Sequence, residues 1–501
     1  MCHPLTGFLN DEASWCHRHC PSLPLIYPTY TYNKASQKPS SPKSILSKPM
    51  PQSQIRHISR CTITPRHTLE HPPPPKRCEL TPWDLAMLST HYIQKGLLFH
   101  TPPSHKHPSN PTIHHLKQSL SQALAHFFPL AGRLKTHQSS SSSSSSSSLY
   151  VFIDCNDLGA EFIHAAADVT VSDILDPIDV PQIVKSLFVF DGAVSCDGHN
   201  ISLLAVQVTE LIDGIFIGCS FNHVVGDGTS FTHFLNVWSE ITRRGGEGGD
   251  CISDATVGER WFGDLDRSLV RLPFSGVDDF IERFEAPLLR ERIFHFAPES
   301  IARLKEKANQ ACNSNKISSF QALSALVWRS ITRARKLPPD QNTNCHLAVS
   351  NRSRLQPPLS PHYFGNCIQK VEATTTAGQL LSHDLGWAAW MVHQSVSGHT
   401  DGIVRGTLDA WVKSPVVYHL SGFDGWSVMM GSSPRFNMYG NDFGWGRPLA
   451  VRSGYANKFD GKVTSYPGRE GGGSVDLEIC LLPEYMNALE LDGEFMDVVS
   501  H

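Results

Sequence analysis

Between Ile201 and Ile241 the chain leaves little freedom in what it can fold into. Two apolar runs, Ile201 to Leu211 and Ile215 to Asn222, are joined through Asp213-Gly214, a pair that favours a tight hairpin. His223-Val224-Val225-Gly226-Asp227-Gly228 follows directly. Then Phe231, Phe234, Leu235, Trp238 and Ile241 recur at the i, i+3, i+4, i+7 spacing of a helix with one buried face. Paired strands feeding a helix through a glycine-flanked junction predict an α/β chain.

The remaining pattern agrees. Leu116, Leu120, Leu124, Phe127 and Phe128 line one side of a helix that Pro129 stops. Ten serines, Ser139 to Ser148, separate Gly132-Arg133-Leu134 from the strand Leu149 to Ile153, predicting a hairpin with an overgrown, dispensable loop. Glycine-rich sequence after Arg243 breaks the helix and reads as a linker. Past it lie a strand near Arg292 to Phe296, a helix after Pro298 and a longer helix opened by Ser318 or Ser319, whose hydroxyls suit an N-cap. Strands around Lys462 to Tyr466 and Val475 to Leu482 close the chain. The expected organisation is an N-terminal domain over 50–242 with the polyserine loop 139–148, a crossover linker over 243–290, and a C-terminal domain over 291–501. With 501 residues, two large domains are reasonable.

Residues 1–49 differ. They are rich in Ser, Pro, Lys and Tyr and carry no period, so they are expected to be a disordered extension outside the mature fold, with Met50 as the functional start. A transit peptide is the other reading of Thr29 to Lys48. Cys16-His17-Arg18-His19-Cys20 has the wrong spacing for a zinc finger and no second ligand pair, so no metal is expected. Lys+Arg 43 against Asp+Glu 47 offers no basic field for nucleic acid. No apolar run approaches the ~18 residues of a membrane span. Thirteen scattered cysteines favour reduced thiols and a cytoplasmic location.

The chemistry centres on His223. A histidine at a strand end, beside glycines that admit another molecule, suits a general base in a cleft. Asp227, four residues on, can hold the turn by pairing with an arginine. The spacing alone is weak: with 26 histidines about one chance match is expected, and His164 to Asp168 supplies one without the trailing glycine or the strand-to-helix setting. That copy is assigned to structure. Neither Gly-x-Ser-x-Gly nor a P-loop occurs.

Asn441-Asp442-Phe443-Gly444-Trp445-Gly446-Arg447-Pro448 is an improbable string. With His223-x-x-x-Asp227 it resembles the signatures of the plant BAHD acyltransferase family. Leu80-Thr81-Pro82-Trp83-Asp84, Phe128 to Leu134, Asn351-Arg352-Ser353-Arg354 and Tyr363-Phe364-Gly365-Asn366 agree in family order. The resemblance implies two chloramphenicol-acetyltransferase-like domains with mixed sheets and a channel between them. It implies a monomer that moves an acyl group from acyl-CoA, as co-substrate, to an alcohol or amine, without metal. His223 would be the base. Asp227 would pair with Arg352, or else Arg354. Asp442 is a catalytic candidate whose bland reading is to hold the channel, with Gly444 and Gly446 turning the loop and Trp445 filling space. Ser318 and Ser319 would cap a helix and touch coenzyme A. Ser433 stands where hydroxycinnamoyl transferases commonly carry a tryptophan, and Arg435 would face an acidic acceptor or form an ion pair. A lyase using the same cleft, or a non-catalytic binding homologue, are the alternatives.

Overall fold

The computed structural model of the protein describes residues 55–67, 75–101, 110–140, 147–245 and 257–500. The extension and its Cys16-His17-Arg18-His19-Cys20 string lie outside them.

Two six-stranded sheets form the frame. The first runs, edge to edge, Arg56–Ile63, Ala160–Ala166, Leu204–Glu210, Gly214–Phe221, Ile93–His100 and Ala450–Ser453. The second runs Ile368–Thr376, Asn342–Ser350, Val428–Ser432, Lys462–Pro467, Val475–Leu481 and Arg290–Phe296. Both are mixed. Ala160–Ala166 lies parallel to Leu204–Glu210, and Val428–Ser432 lies parallel to both of its neighbours. Sequence order and sheet order part company at Ala450–Ser453. This late strand pairs antiparallel with Ile93–His100 and so completes the first sheet from the far end of the chain.

The Asp213-Gly214 hairpin sits centrally in the first sheet, its strands paired from Glu210↔Ile215 to Leu204↔Phe221. The first of them starts at Leu204, because Ser195–His199 is a short 3-10 turn and the chain extends only after it. The polyserine tract is less of a pure insertion than its composition predicts. Its ends join the hairpin ladder, with Ser139 opposite Ser148 and Ser140 opposite Ser147.

Period 2 sorts each strand of the second sheet into two faces. Val428, Met430, Val463, Leu477 and Ile479 join the core under helices Pro298–Ala311, Ser319–Arg335 and Leu385–Gly398. The alternate residues, among them Gly431, Lys462, Tyr466 and Glu478, turn the other way. There Lys95 of the first sheet reaches across and donates to the Tyr466 hydroxyl at 2.8 Å. Helices Asn110–His126 and Gly228–Arg243 pack together over the main core of the first sheet, where the buried Trp238 indole donates to Ser119 Oγ at 3.1 Å. Among the described residues no helix is long and apolar enough to cross a membrane, and no group of three or more His, Cys, Asp or Glu side chains is placed to hold a metal ion.

Candidate active site

Gly214–Phe221 is buried along its whole length, and the chain must turn sharply at its end to start the helix Gly228–Arg243. Asn222 makes that turn. Its carbonyl accepts from Val225 N at 3.0 Å, its Oδ1 accepts from Val224 N at 3.0 Å, and its amide donates to Ser195 O at 2.7 Å. Asp227 then caps the helix, its Oδ1 accepting from the backbone of Thr229 and Ser230 at 3.0 and 3.1 Å. His223 is left half-buried between these two fixed points.

Asp227 is fully buried and meets Arg352 in a two-pronged pair, Nη1 to Oδ2 at 2.7 Å and Nη2 to Oδ1 at 3.0 Å. Cys367 N donates to Oδ2 at 3.0 Å. Burial alone pushes the carboxyl up, but the Arg352 charge and the converging donors outweigh it and hold Asp227 below the usual carboxylate range. Arg352 also donates to the carbonyls of Tyr363 and Gly365, at 3.0 and 3.1 Å. Arg354 is spent elsewhere, on the carbonyls of Val396 and His399.

The imidazole of His223 is held below its ordinary pKa, chiefly because burial disfavours the cation, with the Lys462 charge adding to the effect. Its own carbonyl, Asp227 and the Asn366 amide pull the other way. Among the described residues the enclosed Nδ1 has no partner in hydrogen-bonding geometry. A neutral imidazole with an uncommitted nitrogen can accept a proton from a nucleophile brought to it.

Three groups that sequence reasoning left without a role grip the His223 turn from behind. The fully buried Asn366 amide donates to His223 O at 2.7 Å and to Asp84 Oδ1 at 2.9 Å. Asp84 also accepts from Asn366 N at 3.0 Å and from the backbone and hydroxyl of Thr81, each at 2.9 Å. Arg260 donates to Val225 O at 2.7 Å and approaches Asp84 Oδ1 to 3.6 Å. Asp84 and Asn366 belong to strings that the sequence singles out, yet their meeting spans 282 positions and no local pattern announces it. Arg260 stands in no such string.

Asp442 is not brought to His223. Its Oδ1 accepts from Gly444 N at 2.8 Å and Gly446 N at 2.9 Å, closing a loop in which the two glycines adopt φ of +94° and +88°. Trp445 packs edge-on against Phe99 at 5.5 Å between centroids. Asp442 borders a small cleft with Asn236, Glu240 and Arg243. Asn236 lies nine residues beyond Asp227, about 14 Å along the helix at 1.5 Å per residue. The segment after Val428–Ser432 does approach the site: the Phe436 ring stands 3.0 Å from where a β-carbon on Gly228 would sit. Within that segment Ser433 Oγ accepts from Arg435 N at 3.2 Å, while Arg435 is exposed. Ser318 caps Ser319–Arg335 in a capping box with Gln321, and Ser319 is the first residue of that helix. His164, from the second His-x-x-x-Asp, lies within a strand and is paired with Glu210 at 2.6 Å.

Residues 53–496 match the family model described as Transferase family. The chain is 36% identical over 453 residues to the protein Enhanced Pseudomonas Susceptibility 1 of Arabidopsis thaliana, covering 90% of this chain and 99% of that one. It is 35% identical to BAHD acyltransferase DCR of the same plant, covering 84% and 88%. Among solved structures, TRI101 of F. sporotrichioides complexed with coenzyme A and T-2 superposes with a TM-score of 0.65 at 20% identity, over 85% of this chain and 99% of that chain.

Proposed function

This chain belongs to the plant BAHD acyltransferases, enzymes that use acyl-CoA, and we propose that it moves the acyl group to an alcohol or amine with His223 as general base. The observation that carries the reading is the His223 imidazole, its pKa lowered by burial, on a turn pinned from both ends.

The acceptor O–H or N–H gives its proton to Nε2 as the heteroatom bonds to the thioester carbonyl carbon. The tetrahedral adduct then collapses, the carbon–sulfur bond breaks, and the imidazolium returns the proton to the departing thiolate. A thioester is already activated, so no covalent enzyme intermediate is required. Asp227 and Arg352 act as positioning residues: they fix the far end of the turn and stay off the reacting atoms. Asp442, Gly444, Trp445 and Gly446 hold the loop that joins the two sheets. Ser433 borders the acyl group, and Ser318 with Ser319 faces coenzyme A from the start of its helix. The proposed domains run over 50–242 and 291–501, with Ala450–Ser453 lent back to the first sheet, and the enzyme acts as a cytoplasmic monomer.

The test is His223→Ala with acetyl-, malonyl- and coumaroyl-CoA and a panel of alcohols and amines, read as ester or amide by mass spectrometry and as free thiol. Turnover should fall by about 10²-fold or more, the usual share of a positioned base. The wild-type acid limb of kcat/KM should lie below pH 6.5, because burial lowers the pKa and the base must be neutral. Near-normal turnover in the variant sinks the mechanism.

A further inference from the structure

The face of the second sheet turned away from its helices is dense in charge, and two ammonium groups at it, Lys95 and Lys462, form no ion pair among the described residues. Glu478 is saturated. It takes Ser453 Oγ at 2.7 Å on both oxygens, the Tyr466 hydroxyl at 3.0 Å and the Lys458 ammonium at 2.6 Å. Lys458 is shared with Glu291, which also pairs with Lys185 at 3.1 Å. Lys95 is spent on Tyr466. Every anion on this face is thus committed before Lys462 is reached. Lys462 opens its strand on the same face, and its ammonium makes no hydrogen bond or ion pair among the described residues. It stands directly over Gly431, 2.2 Å from where a β-carbon would be. Any larger residue at 431 would occupy the space the ammonium holds.

The strand neighbours of Lys462 lead toward the turn that carries His223. Gly431 ends one residue before Ser432, which takes the left-handed φ of +64° and starts the segment whose Phe436 lies against Gly228. From the first sheet, Lys95 pairs in register with Cys219, four residues before His223 in the chain. Burial holds the Lys462 pKa down at about 8, which leaves it mostly cationic at neutral pH, and its charge is among those that depress His223. Lys462 is half-buried; a partly desolvated cation without a partner is costly, and an anion supplied by a ligand relieves that cost.

We infer that Lys462 is a substrate-selecting residue, placed by Gly431 to receive a carboxylate carried by the transferred acyl group or by the acceptor. The inference rests on the acyltransferase reading above. It names the substrate class as acidic: a dicarboxylic acyl donor, or a hydroxy or amino acid acceptor.

The experiment uses the full chain and two matched pairs. Malonyl-CoA against acetyl-CoA, with one neutral alcohol, tests the donor. A hydroxycyclohexanecarboxylate against cyclohexanol, with acetyl-CoA, tests the acceptor. Coenzyme A phosphates are common to both members of the first pair and cancel. In one pair the wild type should prefer the carboxylate by about tenfold to hundredfold in kcat/KM, the range of one hydrogen bond to a charged group. Lys462→Met should collapse that ratio toward one, and Lys462→Arg should keep most of it. If Lys462→Met fails to fold, the wild-type ratio and the arginine variant still decide. Acyl transfer with no carboxylate preference in either pair overturns the inference and spares the acyltransferase reading. So does a ratio that Lys462→Met leaves in place. Absence of transfer from every donor overturns both.

Discussion

Replacing Asp227 by asparagine keeps the shape of the side chain and removes only the charge, which makes it the sharpest probe of the turn. The wild-type carboxylate accepts from five donors: three at Oδ1, from Thr229, Ser230 and Arg352, and two at Oδ2, from Arg352 and Cys367. Whichever way the new amide is rotated, its NH₂ faces donors. The better rotamer puts it against Arg352 Nη1 and Cys367 N. Breaking one side of a buried ion pair in this way costs about 3–5 kcal/mol. Unfolding entropy near 2.1 cal/mol/K per residue gives about 0.9 kcal/mol/K for a unit of roughly 450 residues, so Tm should fall by about 3–5 °C. The sign with pH follows from the lowered pKa of Asp227. Its stabilisation is present above the ordinary carboxylate pKa and is lost as pH falls through the folded value. Differential scanning calorimetry of parent and variant should therefore show a constant Tm gap from pH 8 to pH 5 that narrows in stronger acid. Arg352→Met added to Asp227→Asn should cost less than the sum of the singles, since it removes the stranded cation. An unchanged Tm combined with lost turnover would refute the reasoning and move Asp227 into the chemistry.

Asn366→Ala should lower kcat while moving the acid limb of kcat/KM to lower pH, because the amide both pins His223 O and favours the imidazolium; a kcat loss with the pH profile fixed would make Asn366 merely structural. Gly444→Ala and Gly446→Ala should each destabilise by about 1–2 kcal/mol, the cost of left-handed backbone for a residue with a β-carbon, read from chemical denaturation. Removing Ser139 to Ser148 should leave kcat/KM unaltered, since Gln138 already faces Leu149 in the ladder and can be rejoined by a short turn; a slower enzyme would give the tract a role.

What the sequence made legible was whatever repeats locally. The Asp213-Gly214 hairpin, the helix after Gly228 and the cap at Ser318 each follow from a short pattern that the backbone obeys without outside help. The late strand Ala450–Ser453 is four residues long, and nothing in four residues tells which of two sheets will take it. The polyserine ends form strand because Leu149 to Ile153 and Arg133 to Gln138 carry the ladder past them, an effect of neighbours rather than of serine.

The site shows the same division more sharply. His223 and Asp227 are visible as a spaced pair, but the groups that give the pair its geometry come from three distant stretches of chain. Arg352 and Cys367 close on Asp227 from one side, and Asp84, Asn366 and Arg260 hold the carbonyls of His223 and Val225 from the other. Each contact is charge-assisted, or is made by a side chain with no water to fall back on, so each position tolerates few other residues. That is what distant strings such as Leu80 to Asp84 and Tyr363 to Asn366 supply in a chain whose proposed base is one residue. They constrain where a backbone goes, and the backbone then aims His223.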